Sequence, residues 1–291
     1  MTVPVMIADA HATNPPPTSR RSPPHHDRDG PANPHRAMDR AIPAIDANGN
    51  AKTEHVVIEE PLQITLDGHP ISVVMRTPGH DEDLVRGFLI TEGILSSLEA
   101  IRRIDLESKK NHALVFLSDE TEIDLGKLTR HVFSASSCGI CGKASIDAIT
   151  NNFPPLEAPL RFPSSAILTA PDTLRAAQET FDTTGGLHAA ALFDSDGRML
   201  AVREDIGRHN AVDKLIGHAL SDNIDPATTF LLVSGRISFE IMQKSLAAAI
   251  PLVAAISAPS SLAIDFAEKA NQTLVAFLRP PKFNVYSGAL K

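Results

Sequence analysis

Apolar and polar positions fall into two regimes that meet near residue 50. Before that point no period is visible. After it, short alternating runs at 55–58, 61–66 and 71–75 predict strands, the last two joined by the turn Asp67-Gly68-His69-Pro70. Asp81, Glu82 and Asp83 then precede an apolar stripe of Leu84, Phe88 and Leu89. Acidic residues suit the positive end of a helix dipole, so this spacing predicts a helix that stops at Gly93. Runs at 101–106, 112–117 and 122–125 predict further strands, and 144–150 a short helix. Pro154 to Pro163 reads as a proline-punctuated connection. Pro171-Asp172 predicts the start of a helix reaching Phe181, with Leu174, Ala177 and Phe181 on one face. A hairpin at 188–193 and 199–203 turns around Asp194-Ser195-Asp196-Gly197. Helices at 210–219, 238–249 and 261–270 then alternate with strands at 229–234, 252–256, 273–278 and 283–286.

A hairpin followed by alternating strands and helices predicts a three-layer α/β domain with a mixed sheet. The fold class is α/β, with a smaller strand-rich α+β unit ahead of it. The expected boundaries are a disordered tail at 1–48, an N-terminal subdomain at 49–137, a mobile loop and linker at 138–160 and the larger domain at 161–291.

Composition sharpens this division. Of 22 Pro and 12 His, residues 1–50 hold 9 and 4, and no aromatic residue. Such a segment buries too little apolar surface to offset the entropy of ordering it. Its five Arg balance its five Asp, so the net charge of -8 belongs to the remaining residues. An acidic body argues against binding a nucleic-acid polymer, which needs a basic face. The longest apolar stretch, 246–258, contains Pro251 and is shorter than the ~20 residues that span a bilayer. No apolar core of a secretory signal follows the first residues. A cytoplasmic protein without a membrane anchor is expected.

The chain has 2 cysteines, and both lie in Cys138-Gly139-Ile140-Cys141. A disulfide-stapled scaffold is thereby excluded. Serines, alanine and glycines flank the pair, which predicts the accessible loop that thiolate chemistry requires. Three functions fit: half of a structural zinc site, a redox pair, or a persulfide carrier with one Cys loaded and the other assisting. A closed zinc site needs further ligands. His131 offers one, and no second Cys pair exists. A zinc nucleobase deaminase is a further alternative, because His80-Asp81-Glu82 followed by CxxC approximates the H-x-E and P-C-x-x-C signature. Ser137 stands where that signature has Pro, and the gap from His80 to Cys138 is long.

Other polar clusters fall at predicted strand ends. Arg203-Glu204-Asp205-Ile206-Gly207-Arg208-His209-Asn210 leads into a helix, with Asp205 or Asn210 as candidate caps. Ser234-Gly235-Arg236-Ile237-Ser238 passes from a buried strand to a helix N-terminus, an anion-friendly arrangement without the Walker lysine. Phe277-Leu278-Arg279-Pro280-Pro281-Lys282 sets two cations around a rigid turn, and Thr183-Thr184-Gly185-Gly186-Leu187-His188 is a glycine turn before a strand. Together they gather Arg203, Arg208, Arg236, Arg279 and Lys282 in an acidic protein, which points to a small anionic ligand.

The ordered segments SSCGICG, TGGLHAAALF, REDIGRHNAVDKLIG, SGRISFEIMQKS and FLRPPKFNVYSG resemble the formate dehydrogenase accessory sulfurtransferase family, FdhD, across approximately residues 53–287. The resemblance implies a cytidine-deaminase-like α/β/α domain that needs no catalytic zinc, and a homodimer. It implies transfer of sulfur from a cysteine desulfurase to the molybdenum (or tungsten) bis(molybdopterin guanine dinucleotide) cofactor, which then enters the catalytic subunit of formate dehydrogenase. Cys138 corresponds to the persulfide carrier and Cys141 to its assistant. The cofactor-binding segment corresponds to residues 277–282; Arg203, Arg208, Gly235 and Arg236, read from their places at predicted strand ends, are added as candidate contacts. Pro280-Pro281 departs from the glycine many relatives carry after the first cation, and proline offers no N–H. His80 falls where relatives often have an acid. Asp205 and Asp265 are candidate carboxylates for guanine. A non-catalytic chaperone that only holds the cofactor is the remaining alternative.

Overall fold

The computed structural model describes residues 38–119 and 153–291. The strand at 122–125, His131, the Cys138/Cys141 motif, the helix at 144–150, and the tail up to residue 37 lie outside the described residues.

The first observed element corrects the expected tail boundary. Strand β1 (Asp39–Ile45) pairs antiparallel with β2 (Ala51–Val57), so ordered chain begins ahead of residue 48. The turn explains it: Asp46 Oδ1 accepts from the backbone N–H groups of Asn48 (2.8 Å) and Asn50 (2.9 Å), and Gly49 takes a φ of 85°. Pro43 sits within β1 without breaking a ladder, because each strand of a two-stranded ribbon is an edge.

Strands β3 (Glu60–Leu66), β4 (His69–Arg76), β5 (Ile101–Asp105) and β6 (His112–Leu117) form a four-stranded mixed sheet in the order β4-β3-β6-β5. The β3–β4 turn is tighter than the sequence suggests. Only Asp67 and Gly68 lie outside the strands, both at positive φ, as a two-residue hairpin turn demands. Helix α1 (Asp81–Thr91) covers the sheet with Leu84, Val85, Leu89 and Ile90. Its Phe88 is only partly buried.

The larger sheet has six strands in the order β12-β11-β10-β9-β7-β8. These are β7 (His188–Phe193), β8 (Met199–Asp205), β9 (Phe230–Val233), β10 (Leu252–Ala255), β11 (Thr273–Arg279) and β12 (Lys282–Ser287). β9, β10 and β11 are parallel; β7, β8 and β12 run antiparallel to their neighbours. Side chains alternate between two cores with the period of a strand. Leu231, Val233, Val253, Ala255 and Leu274 face one; Phe230, Leu232, Leu252, Ala254 and Val275 face the other.

Helix α2 (Ser164–Ala176) covers the second core, and α3 (Glu179–Thr184) follows it. Helices α4 (Arg208–Ser221), α5 (Phe239–Ala247) and α6 (Ser261–Lys269) cover the first. The result is a three-layer α/β/α domain. The single helix expected from Pro171 to Phe181 is instead two helices that break at Gln178. Pro163 caps the first, and Pro171 lies inside it, buried against the core. Proline favours a helix start because its missing N–H is free there. Here its apolar ring fills the buried face, and Ile167 forgoes its usual N–H donor.

Candidate functional site

The three parallel strands β9, β10 and β11 end on one edge of the large sheet. The loops that leave them carry Ser234-Gly235-Arg236, residues 257–260 and the β11–β12 hairpin tip. The antiparallel β7 starts at this edge and β8 finishes there, with His188 opposite Asp205. Helices α4, α5 and α6 all begin on the same side, each after one of these strands. Ligands of open α/β sheets bind outside such carboxyl ends, where helix N-termini present backbone N–H groups.

The loop after β9 is tied at both ends. Ser234 exchanges hydrogen bonds with the backbone of Ala189, accepting at Oγ (2.9 Å) and donating through N (2.9 Å). Ile237 N–H donates to Ala258 (3.1 Å) and Ser260 N–H to Ile237 (2.9 Å). Between these ties Gly235 is buried. A Cβ added to it would lie 3.2 Å from His188 Nδ1 and 3.8 Å from Arg208 Cβ. A Cβ there would need the imidazole to give by a few tenths of an ångström.

Arg208 opens α4 behind its cap Gly207, and its Nε is buried with no hydrogen-bond partner. Arg236 is exposed. Burial, then Arg208, holds the His188 imidazole below its ordinary pKa; Arg236 adds to this and Asp205 opposes it. The structure thus brings together Gly235, Arg208 and Arg236. It also adds His188, which the sequence showed only as the end of a glycine turn. Its one signal was a polar residue heading an otherwise apolar strand.

Other candidates are committed elsewhere. Arg203 turns to α1, where Nε and Nη2 both donate to Asp83 Oδ2 at 2.9 Å, and Nη1 donates to the Val202 carbonyl at 2.8 Å. It ties β8 of the large sheet to α1. Asp205 is fully buried: its carboxylate accepts from Lys214 Nζ (2.7 Å), Gly207 N (2.8 Å), Asn210 Nδ2 (3.0 Å) and Thr77 N (3.1 Å). That set leaves no acceptor facing a guanine, so the assignment of Asp205 to base recognition is corrected. Neither Asp205 nor Asn210 is the cap of α4; Asp205 holds the cap residue's N–H, and Asn210 donates to Asp205 and to Met75 (2.7 Å). Asp265 is exposed on α6.

Within the 277–282 segment the roles divide. Leu278 is fully buried in the second core. Phe277 is 39% exposed, takes a φ of 51° and donates its N–H to Ser257 at 3.0 Å. Arg279 pairs with Lys282 across the hairpin, and the tip between them is Pro280-Pro281, joined by a cis peptide. These four residues are exposed. One strand, β10, separates β11 from β9. The strands that lead to the hairpin and to the Gly235 loop are therefore about 10 Å apart, axis to axis.

Residues 57–291 match the model of the FdhD/NarQ family. The chain belongs to that family. It is 48% identical over 253 residues to the sulfur carrier protein FdhD of Mycolicibacterium paratuberculosis, spanning 82% of this chain and 92% of that protein. The sulfur carrier protein FdhD of Streptomyces coelicolor is 45% identical over 262 residues, spanning 86% and 93%. The crystal structure of a proposed formate dehydrogenase accessory protein from Desulfotalea psychrophila superposes with a TM-score of 0.69 at 26% identity, covering 86% of this chain and 96% of that one.

In this FdhD/NarQ chain the deaminase-like pair His80 and Glu82 has other occupations. His80 caps α1 in the left-handed region, with Nδ1 3.7 Å from Asp83 Oδ2. Burial, then Arg203, lowers its pKa to about 4. Glu82 forms a 2.6 Å ion pair with Arg86 one turn along the helix. No group of three or more His, Cys, Asp or Glu among the described residues is placed to hold a metal ion. No helix among them is long and apolar enough to cross a membrane.

Proposed function

We propose that this member of the FdhD/NarQ family is a sulfur carrier that serves formate dehydrogenase. In this reading Cys138 takes sulfur from a cysteine desulfurase, and the acceptor is the molybdenum bis(molybdopterin guanine dinucleotide) cofactor, which is cargo rather than a resident group. The protein works in the cytoplasm as a homodimer and hands the cargo to the catalytic subunit of formate dehydrogenase. The relatives' description as sulfur carriers supports the first half.

The observation that carries the second half is the convergence of Gly235, Arg208 and Arg236 on the carboxyl edge. Gly235 lets a ligand approach the backbone closely, and the unpartnered Nε of Arg208 asks for an acceptor. Guanidinium groups give phosphate oxygens paired donors. Farther along the edge Arg279 and Lys282 meet the same cargo through side chains alone, since Pro280 and Pro281 have no N–H. Phe277 offers an apolar face beside them, and Leu278 anchors the hairpin from below. Arg203 acts by fixing α1 against β8.

The sulfur step follows thiol–disulfide chemistry. The Cys138 thiolate attacks the terminal sulfur of the donor persulfide; the donor S–S bond breaks and its thiolate leaves, so Cys138 carries the persulfide. Attack by the Cys141 thiolate on Cys138 Sγ then releases hydrosulfide to the cargo and leaves a disulfide, which a dithiol reductant reopens.

The test is formate dehydrogenase maturation in cells lacking their own carrier. The wild-type chain restores activity and Cys138→Ala does not. Full maturation by Cys138→Ala would leave only a cofactor-holding chaperone. Stoichiometric zinc lost on His80→Ala would replace the reading with a deaminase.

A further inference from the structure

At the carboxyl edge two guanidinium groups act on one histidine, and the one carboxylate that opposes them among the described residues already holds Lys214. We propose that His188 is an anion-recognising residue of this edge, and that it gains a proton as a diphosphate group of the guanine dinucleotide cargo binds between it, Arg208 and Arg236. The inference rests on the sulfur-carrier reading for the identity of the cargo.

Charged groups reach His188 from α4, from the loop after β9 and from β8. From α4, Arg208 approaches; from the loop after β9, Arg236. From β8 comes Asp205, its direct cross-strand partner, whose carboxylate is already taken by the fully buried Lys214. That pair is neutral as a unit. Glu204, the next residue inward on β8, turns toward α3, where the backbone N–H groups of Phe181 and Thr180 donate to it. His209 turns toward Ser238 Oγ (3.2 Å) and Glu240. Among the described residues, two guanidinium charges therefore act on the imidazole, opposed by one carboxylate that already holds Lys214.

In the free protein half-burial of the ring disfavours a proton, and Arg208 and Arg236 add to this. A diphosphate reverses the sign of the local field. A nearby opposite charge favours the protonated imidazole, so the ring takes up a proton with the ligand and donates both N–H groups. Gly235 helps leave room for this, since a Cβ there would lie 3.2 Å from Nδ1. The buried Nε of Arg208 supplies a second donor that has no acceptor until the ligand arrives.

Titration calorimetry of the full chain with guanosine diphosphate, in buffers of different ionisation enthalpy at one pH, counts the protons taken up. The nucleotide titrates too, so His188→Gln serves as the baseline. The wild type is expected to take up more protons per nucleotide than His188→Gln. Its affinity is expected to weaken more steeply as pH rises, with an excess slope approaching about tenfold per pH unit where uptake is complete. Equal proton uptake, equal pH slopes, or no nucleotide binding by the wild type would overturn the proposal. Should His188→Gln not fold, Arg236→Gln replaces it, since Arg236 is exposed. That variant is expected to bind about tenfold more weakly and to take up fewer protons, because part of the repulsion that keeps His188 neutral is gone. No change in either quantity would overturn the proposal. Persulfide loading of Cys138, measured on the same samples, separates the two readings. Loading without proton-linked binding sinks only the role of His188, and proton-linked binding without loading sinks the sulfur carrier.

Discussion

Gly87 of α1 and Gly217 of α4 meet where the two helices cross, and neither position has room for one more carbon. A Cβ on Gly87 would lie 1.8 Å from the Asp213 carbonyl oxygen, and one on Gly217 would lie 1.9 Å from that of Asp83. The atoms in the way are backbone, so relief requires the helices to separate. Gly217→Ala is expected to destabilise the protein by about 3 kcal/mol or more, the upper range for overpacking. Urea unfolding should show a lowered midpoint; an unchanged one would mean the crossing is not tightly set.

A second tie lies beside the first. Lys214 and Asp205 are fully buried and 2.7 Å apart, and Lys214 also donates to the Thr77 carbonyl at 2.8 Å. Lys214→Met leaves a buried carboxylate without its counter-charge, at a cost of about 3–5 kcal/mol. The exposed pair Glu82–Arg86 gives the contrast, since Glu82→Gln should cost no more than about 1 kcal/mol. Thermal unfolding of both variants checks the ranking, and equal losses would contradict it.

Stability should fall on acidification through His80. Its pKa is lowered to about 4 in the folded chain by burial and Arg203, while the unfolded chain titrates near 6.5. Between those values the unfolded state binds a proton that the folded state refuses. The contribution is therefore complete above about pH 6.5 and is lost as pH falls toward 4. The side chain is 39% exposed, so solvent screening reduces the effect. His80→Gln should flatten the melting temperature profile over this window, and an unaltered profile would count against the assignment.

The hairpin tip should matter to the cargo and not to the fold. Arg279 and Lys282 are exposed beyond a buried Leu278. The double variant Arg279→Ala, Lys282→Ala should keep the melting temperature and stability within about 0.5 kcal/mol. Loss of charge-assisted contacts should weaken cargo binding about tenfold and lower formate dehydrogenase maturation. Full maturation at limiting carrier would remove this segment from the cargo site.

Much of the larger domain was legible because its strands are buried on both faces. Phe230–Val233 and Leu252–Ala255 read as unbroken apolar runs, and the helices between them carry one apolar face. The cation-bearing loops fell where predicted for the same reason: strand ends are where polar residues resume. What the sequence hid is pairing over distance. Nothing near Arg203 announces Asp83, and nothing near Asp205 announces Lys214 together with the Thr77 backbone. Both looked like ligand contacts until their partners on α1 and α4 came into view. Residues 38–48 were misjudged from composition, because a single Asp–Asn turn outweighs the proline content around it. Pro171 was read by its usual position in helices, whereas its burial in α2 decides its place.

The central claim concerns Cys138, and mass spectrometry tests it most directly. The purified protein is incubated with a cysteine desulfurase and cysteine, then digested without reductant. The account predicts that the peptide bearing Cys138 gains the mass of one sulfur atom, and that added reductant removes it. A peptide that stays unmodified under these conditions, while the desulfurase itself becomes persulfidated, would contradict the account.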